Sequence, residues 1–251
     1  MQVMKHPIYA IAGVVTAVLL GCGGGGAGAP ASDPITYTGC PAFASPNYLL
    51  STDPGDGKIN IPLKWDSFPV NVYRAPHHIF TFPLSSYDTD VIAKTALDRW
   101  VDAVPHGISY TFVPSDPTKG ISITFNHLSR PPSAGEPLGV TTLFYNATSG
   151  LLHKANTVIN YWDGITEAEV RFGLLFTTTH EFGHGLFING HSPVFADTMY
   201  FAASTVEVKT VTQRDANTLA SAYCGTFTGT PLTLGRDVEP DTKVTISVRK
   251  S

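Results

Sequence analysis

Charge is scarce in this sequence. Asp, Glu, Lys and Arg make up 14% of the 251 residues, and 16 cations against 20 acids leave a net charge of -4 with no run of like charges. A phosphate backbone finds no basic stripe here, so nucleic acid is excluded as an expected partner. Internal repeats are absent as well, which excludes a solenoid or a propeller. The apolar run near the N-terminus, Ile8 to Leu20, holds 13 residues. At about 1.5 Å per helical residue it falls short of a hydrocarbon core of about 30 Å, so it reads poorly as a spanning anchor. What is present is a chain 43% hydrophobic and 11% aromatic, enough to bury a core and unlike a disordered or collagen-like polymer. The 23 Gly and 19 Pro punctuate ordered segments, with Gly concentrated between residues 21 and 28.

Lys5, the apolar run and then Gly21-Cys22 have the layout of an export signal over residues 1–21. Leu19-Leu20-Gly21-Cys22 resembles the bacterial lipoprotein cleavage box, which implies an exported chain tethered to a membrane by lipid on Cys22. Gly23 stands where many inner-membrane lipoproteins carry a retaining Asp, so the outer membrane or cell surface is the expected location. Residues 22–32 are Gly-rich and read as a flexible tether. The two remaining cysteines, Cys40 and Cys224, are an even pair in an oxidising setting, able to close nearly the whole folded chain into one loop or to remain two buried thiols.

Residues 33–58 are rich in Pro, Gly, Asn and Asp and predict an irregular lead-in to a domain at 59–225. Alternating or β-branched stretches predict strands at Phe68 to Arg74, Ile108 to Val113, Ile121 to Phe125, Val140 to Tyr145 and Thr157 to Tyr161. Asp88 or Thr89 can cap a helix to Val104, with Val91, Leu97, Trp100, Val101 and Val104 on one face and Trp100 as a core anchor. Thr166 and Glu169 form a capping box for a helix toward Phe187, and a last helix opens near Thr212 with Asp215 at its third position. The tail 226–251 has no legible role, although Val244 to Val248 alternates like a late strand. The expected class is α+β: a twisted mixed sheet of about five strands packed on three helices.

The chemistry concentrates in His180-Glu181-Phe182-Gly183-His184, which falls inside the helix opened by the capping box. One turn brings imidazoles four residues apart to one face, where both can bind a single Zn²⁺ while Glu181 takes a proton from a metal-activated water. Asn189-Gly190 then offers a chain reversal, and His191 follows as a third imidazole. His77 and His78 are adjacent, so in a strand they point apart and read as surface residues.

The whole segment HEFGHGLFINGHSPVFADTMY, His180 to Tyr200, resembles the metzincin clan of zinc endopeptidases and, within it, the matrixin-like secreted proteases of bacteria. The clan pattern HExxHxxGxxH is met with the third His one residue late and with Phe187 in the Gly place. Ala96-Leu97-Asp98-Arg99-Trp100, Ile121 to Phe125 and Thr212 to Tyr223 are similar in order to that family's catalytic domain, so the likeness spans about Ile59 to Cys224. The resemblance implies His180, His184 and His191 as ligands of one catalytic Zn²⁺, Glu181 as general base and Met199 as the Met-turn residue beneath the metal. It also implies a zinc cleft between the sheet edge and a C-terminal subdomain. The edge strand there, Val140, Thr141, Thr142, Leu143, Phe144 and Tyr145, pairs with an extended peptide or protein substrate. A monomer is expected, and neither a structural Ca²⁺ nor a second Zn²⁺ can be read. Gly39-Cys40-Pro41 lacks the flanks of the family's inhibitory cysteine switch, so no latent propeptide is expected. A fold that binds zinc or a partner without turnover, and a hydrolase of esters, remain the alternatives.

Overall fold

The computed structural model describes residues 46–251 apart from 61–62, 76, 105–107, 187–188 and 224–238. The export signal 1–21, the tether 22–32, the lipidation of Cys22 and the pairing of Cys40 with Cys224 lie outside the described residues. No helix among the described residues is long and apolar enough to cross a membrane.

Among the described residues nine strands and three α-helices follow one another as β1 (Val70–Arg74), β2 (Ile79–Phe82), β3 (Ser85–Asp88), α1 (Thr89–Ala103), β4 (Tyr110–Val113), β5 (Gly120–Leu128), β6 (Pro137–Tyr145), β7 (Leu152–Trp162), α2 (Leu175–Leu186), β8 (Ala202–Ala203), α3 (Gln213–Tyr223) and β9 (Thr242–Lys250). β2 and β3 form a separate hairpin, and the other seven make one sheet in the order β4-β1-β5-β7-β6-β9-β8. The sheet is mostly parallel: β4, β1, β5 and β7 run the same way, and β6 is antiparallel to both of its neighbours. The mixed sheet and three helices match the expected class, but the sheet has seven strands where five were expected, because β9 and β8 extend it beyond β6.

That extension corrects the assignment of Val140 to Tyr145 as an edge. β6 pairs with β7 on one side and with β9 on the other, from Pro137 opposite Arg249 to Tyr145 opposite Thr242. The C-terminal tail therefore occupies the edge that the sequence assigned to a substrate. Only Ile246 and Val248 of β9 are buried, so its alternation is weak in sequence.

Helix α1 starts where Asp88 accepts a hydrogen bond from the Asp90 N–H at 2.7 Å. Its buried stripe is Ile92, Ala93, Ala96, Leu97 and Trp100. Val91, placed in the core by sequence, is instead 61% exposed; it lies one turn from Lys94 and shares the face of the Lys94–Asp98 ion pair. Trp100 is fully buried and donates to the Thr179 carbonyl at 2.7 Å, tying α1 to α2.

Helix α2 follows the expected capping box: Glu169 accepts from the Thr166 N–H at 2.8 Å, and Thr166 accepts from the Glu169 N–H at 3.3 Å. The chain first makes a π-helical turn, Glu169–Leu174, in which Gly173 lies so close to Thr205 that a Cβ would sit 1.8 Å from its carbonyl oxygen. Every residue from Phe176 to Leu186 is buried, so α2 is a core helix buried on all sides rather than an amphipathic one. Thr178 and Thr179 are poor helix formers, and each hydroxyl donates back to the carbonyl four residues earlier. At the C-terminal end, Trp65 donates to the Gly185 carbonyl at 2.9 Å and the Tyr223 hydroxyl donates to that of Leu186, satisfying carbonyls that have no helical partner.

Candidate metal centre

His180 and His184 lie one turn apart on α2, and both are fully buried. Their Nε2 atoms are 3.1 Å apart. His191, after the chain reversal, is 4% exposed and brings its ring centroid to 5.3 Å from that of His180 and 4.9 Å from that of His184. One nitrogen from each of the three rings lies within 4.8 Å of the others, close enough for all three to bind one metal ion. Among the described residues no second group of three or more such side chains is present. Nitrogens in a tetrahedral shell about 2.0–2.1 Å from a shared cation stand about 3.4 Å apart, so the arrangement fits a metal with little adjustment.

The outer nitrogens fix the tautomers. His180 Nδ1 faces the Thr198 carbonyl at 2.7 Å, which can only accept, so Nδ1 carries the proton and Nε2 keeps its lone pair. His191 Nδ1 faces the Asp53 carboxylate at 2.8 Å, and His191 Nε2 is buried with no protein partner. A buried imidazole nitrogen turned toward two others is the donor set a metal requires. Burial, then repulsion from His191, holds the His180 pKa well below its ordinary value, which favours the neutral ligand form. For Asp53, burial opposes the charge, but the hydrogen bond and charge of His191 outweigh it and hold the carboxyl below the usual range.

Asp53 was not legible as a functional residue. It sits in Asp53-Pro54-Gly55-Asp56-Gly57, whose Gly and Asp content marks only a loop. Asn60 acts beside it, donating to the His191 carbonyl at 2.9 Å. Gly190 makes the reversal feasible through close approach rather than a left-handed φ: a Cβ there would meet Asn60 Oδ1 at 1.6 Å. The lead-in thus supplies the outer support of the third imidazole. Phe187 and Ile188 lie outside the described residues.

Met199 is fully buried beneath α2. A Cβ at Gly183, between the two helical imidazoles, would stand 2.2 Å from Met199 Sδ, so the glycine makes room for the sulfur. The segment around it is held by Asp215, which accepts from the Thr198 N–H and the Thr212 N–H at 2.9 Å each and from the Tyr48 hydroxyl at 2.7 Å. The residue read from sequence as a helix cap thus also pins the carbonyl that orients His180.

Glu181 is fully buried against β6 and β9. Thr141 donates to its Oε2 at 2.6 Å and the Val248 N–H donates to its Oε1 at 3.1 Å. Burial pushes its pKa up to about 8, against the opposing pull of those two donors. Gly139 is a further residue that the sequence did not single out: a Cβ there would meet Glu181 Cγ at 2.6 Å and Oε1 at 2.8 Å. Gly139→Ala is expected to displace the carboxylate and to destabilise the fold by about 1–3 kcal/mol, measurable by thermal unfolding.

His78 stacks on Tyr161 at 5.0 Å between ring centroids and is not among the three clustered histidines. A scan of protein-family models finds no match to the chain, and a search of curated proteins finds none similar to it in sequence.

Proposed function

We propose that the chain is a zinc-dependent endopeptidase of the metzincin kind, exported and held at a membrane surface by lipid on Cys22. The observation that carries this reading is the convergence of His180, His184 and His191 with Glu181 on the adjoining turn position. Three neutral imidazoles are a donor set suited to Zn²⁺ and leave a fourth position free. A bound zinc ion supplies Lewis acidity, polarising the scissile carbonyl and acidifying water.

The chain's own residues do the rest. Glu181 accepts the proton of the attacking water and passes it to the leaving nitrogen. Its buried setting raises its affinity for a proton, which suits the interval in which it carries the water proton to the leaving nitrogen. Thr141 orients Oε2 and leaves Oε1 facing the peptide N–H of a neighbouring strand. Thr198 and Asp53 fix two of the imidazoles, so the ligand shell is preorganised.

The mixed sheet brings Thr141 of β6 against Glu181, so β6 lies alongside the site. A second reading, a zinc-binding fold without turnover, is favoured by the covering of Glu181 by β9. The two readings part on metal removal. Hydrolysis of casein or a mixed peptide library by the 22–251 chain should vanish on removal of zinc by a chelator and return with stoichiometric Zn²⁺. Zinc binding with no hydrolysis in any state of β9 would support the second reading.

A further inference from the structure

We infer that the C-terminal strand Thr242–Lys250 is an internal, substrate-like latch that fills the peptide cleft with Val248 at the position following the scissile bond. This rests on the endopeptidase reading of the site. β9 is antiparallel to β6 over its whole length, which is how an added peptide strand docks on a sheet edge. On its other side it runs parallel to β8: the Arg249 N–H donates to the Phe201 carbonyl at 3.0 Å and the Ser251 N–H to that of Ala203 at 2.9 Å. The strand is thus inserted between β6 and the segment that follows Met199.

The chemistry fixes its register. Glu181 must return a proton to the leaving nitrogen, and the one backbone N–H on Glu181 Oε1 among the bonds of β9 is that of Val248, at 3.1 Å. The Ser247–Val248 peptide therefore stands where a cleaved bond would stand. The Val248 side chain is fully buried with Leu138, Trp162, Phe176 and Ala203, an apolar cluster separate from the main core. An unlatched enzyme accordingly accepts extended peptides with an apolar residue on the leaving-group side.

In the latched state His180, Glu181 and His184 have no exposed surface. The groove that remains beside His191, lined by Asp53, Gly55, Phe201 and Ile246, measures about 140 Å³, too small for a peptide chain. Turnover requires β9 to leave. Two of its nine side chains are buried, so the strand is held mainly by backbone pairing to β6 and β8, which an exchanging peptide can replace. Latency therefore comes from the C-terminal end of the chain.

The test uses the 22–251 chain throughout. Thr142 and Thr245 are directly opposite, with hydroxyls 3.1 Å apart, so Thr142→Cys/Thr245→Cys should form a disulfide that locks the strand. Val248→Arg should unseat it. The oxidised lock is expected to cleave peptides at least tenfold more slowly than the same protein reduced, with wild type unaffected by the reductant. Val248→Arg is expected to cleave at least tenfold faster than wild type and to lose hydrogen-exchange protection over 242–250.

Two readouts are independent of turnover. A fluorescein-labelled TKVTISVRKS peptide should bind the Val248→Arg/Glu181→Gln chain by anisotropy and fail to bind the oxidised lock, and the lock should keep the 242–250 amides protected. Equal cleavage by locked and reduced protein would overturn the latch while leaving the endopeptidase reading intact. Peptide binding that obeys the lock, with no cleavage by any form, would overturn that reading while leaving the strand as occupant of the edge. Loss of fold in Val248→Arg leaves the locked pair to decide.

Discussion

Glu181→Gln is expected to lower peptide hydrolysis about 1000-fold with zinc still bound, because general acid–base transfer contributes about 10²- to 10⁴-fold. The substitution keeps the shape that fits between Gly139 and Thr141 and removes only the ability to take a proton. It should cost little stability, since Glu181 is fully buried and burial already penalises its charged form. The ratio of kcat/KM for variant and parent, measured in the same state of β9, isolates the chemical role from the opening of the strand. Retention of the parental rate would contradict the assignment of Glu181 as base.

His191→Ala is expected to act earlier, on the metal itself. His191 is the proposed ligand that the sequence places least securely, one residue late in the pattern, yet its ring packs against the other two and its Nε2 is buried without a protein partner. Loss of an outer-shell support already costs about 10- to 100-fold in metal affinity, so loss of a direct donor should cost at least about 100-fold and take hydrolysis with it. Alanine also leaves the Asp53 carboxylate, 2% exposed, without the imidazole it now pairs with. The apo form of the variant should therefore unfold with a stability loss of about 3 kcal/mol, measurable by denaturant titration. Unchanged turnover in the variant would remove His191 from the site.

The parts of this site that were legible in sequence are those whose geometry is local. His180, Glu181 and His184 need only the 3.6-residue turn, and the capping boxes at Thr166/Glu169 and Thr212/Asp215 need only three-residue spacing. The supports that were not legible act across long separations. Asp53 meets His191 from 138 residues away, and Val248 meets Glu181 from 67 away, with no spacing rule to announce either. Gly139 was hidden for a related reason, since its need for a missing Cβ exists only once β6 lies against α2.

The misassigned edge has its own physical cause. β6 alternates strongly enough to be read as a strand, but nothing in Val140 to Tyr145 states how many neighbours it has. Val244 to Val248 was legible as a late strand and is the centre of β9, but with Thr, Lys and Arg around two buried positions nothing in its pattern names β6 as its partner. The β2–β3 hairpin escaped for similar reasons, being two four-residue strands with little period to detect. Val91 erred by one step of the helix, its apolar character outweighing the exposed Lys94 and Asp98 with which it shares a face.

The proposed activity depends on one metal held by three imidazoles, and its most direct test is a zinc count on purified 22–251 protein with and without His191. Wild type should carry one zinc per chain after dialysis against a weak chelator, and His191→Ala should carry essentially none under the same treatment. Equal zinc in both proteins, or none in either, would contradict it.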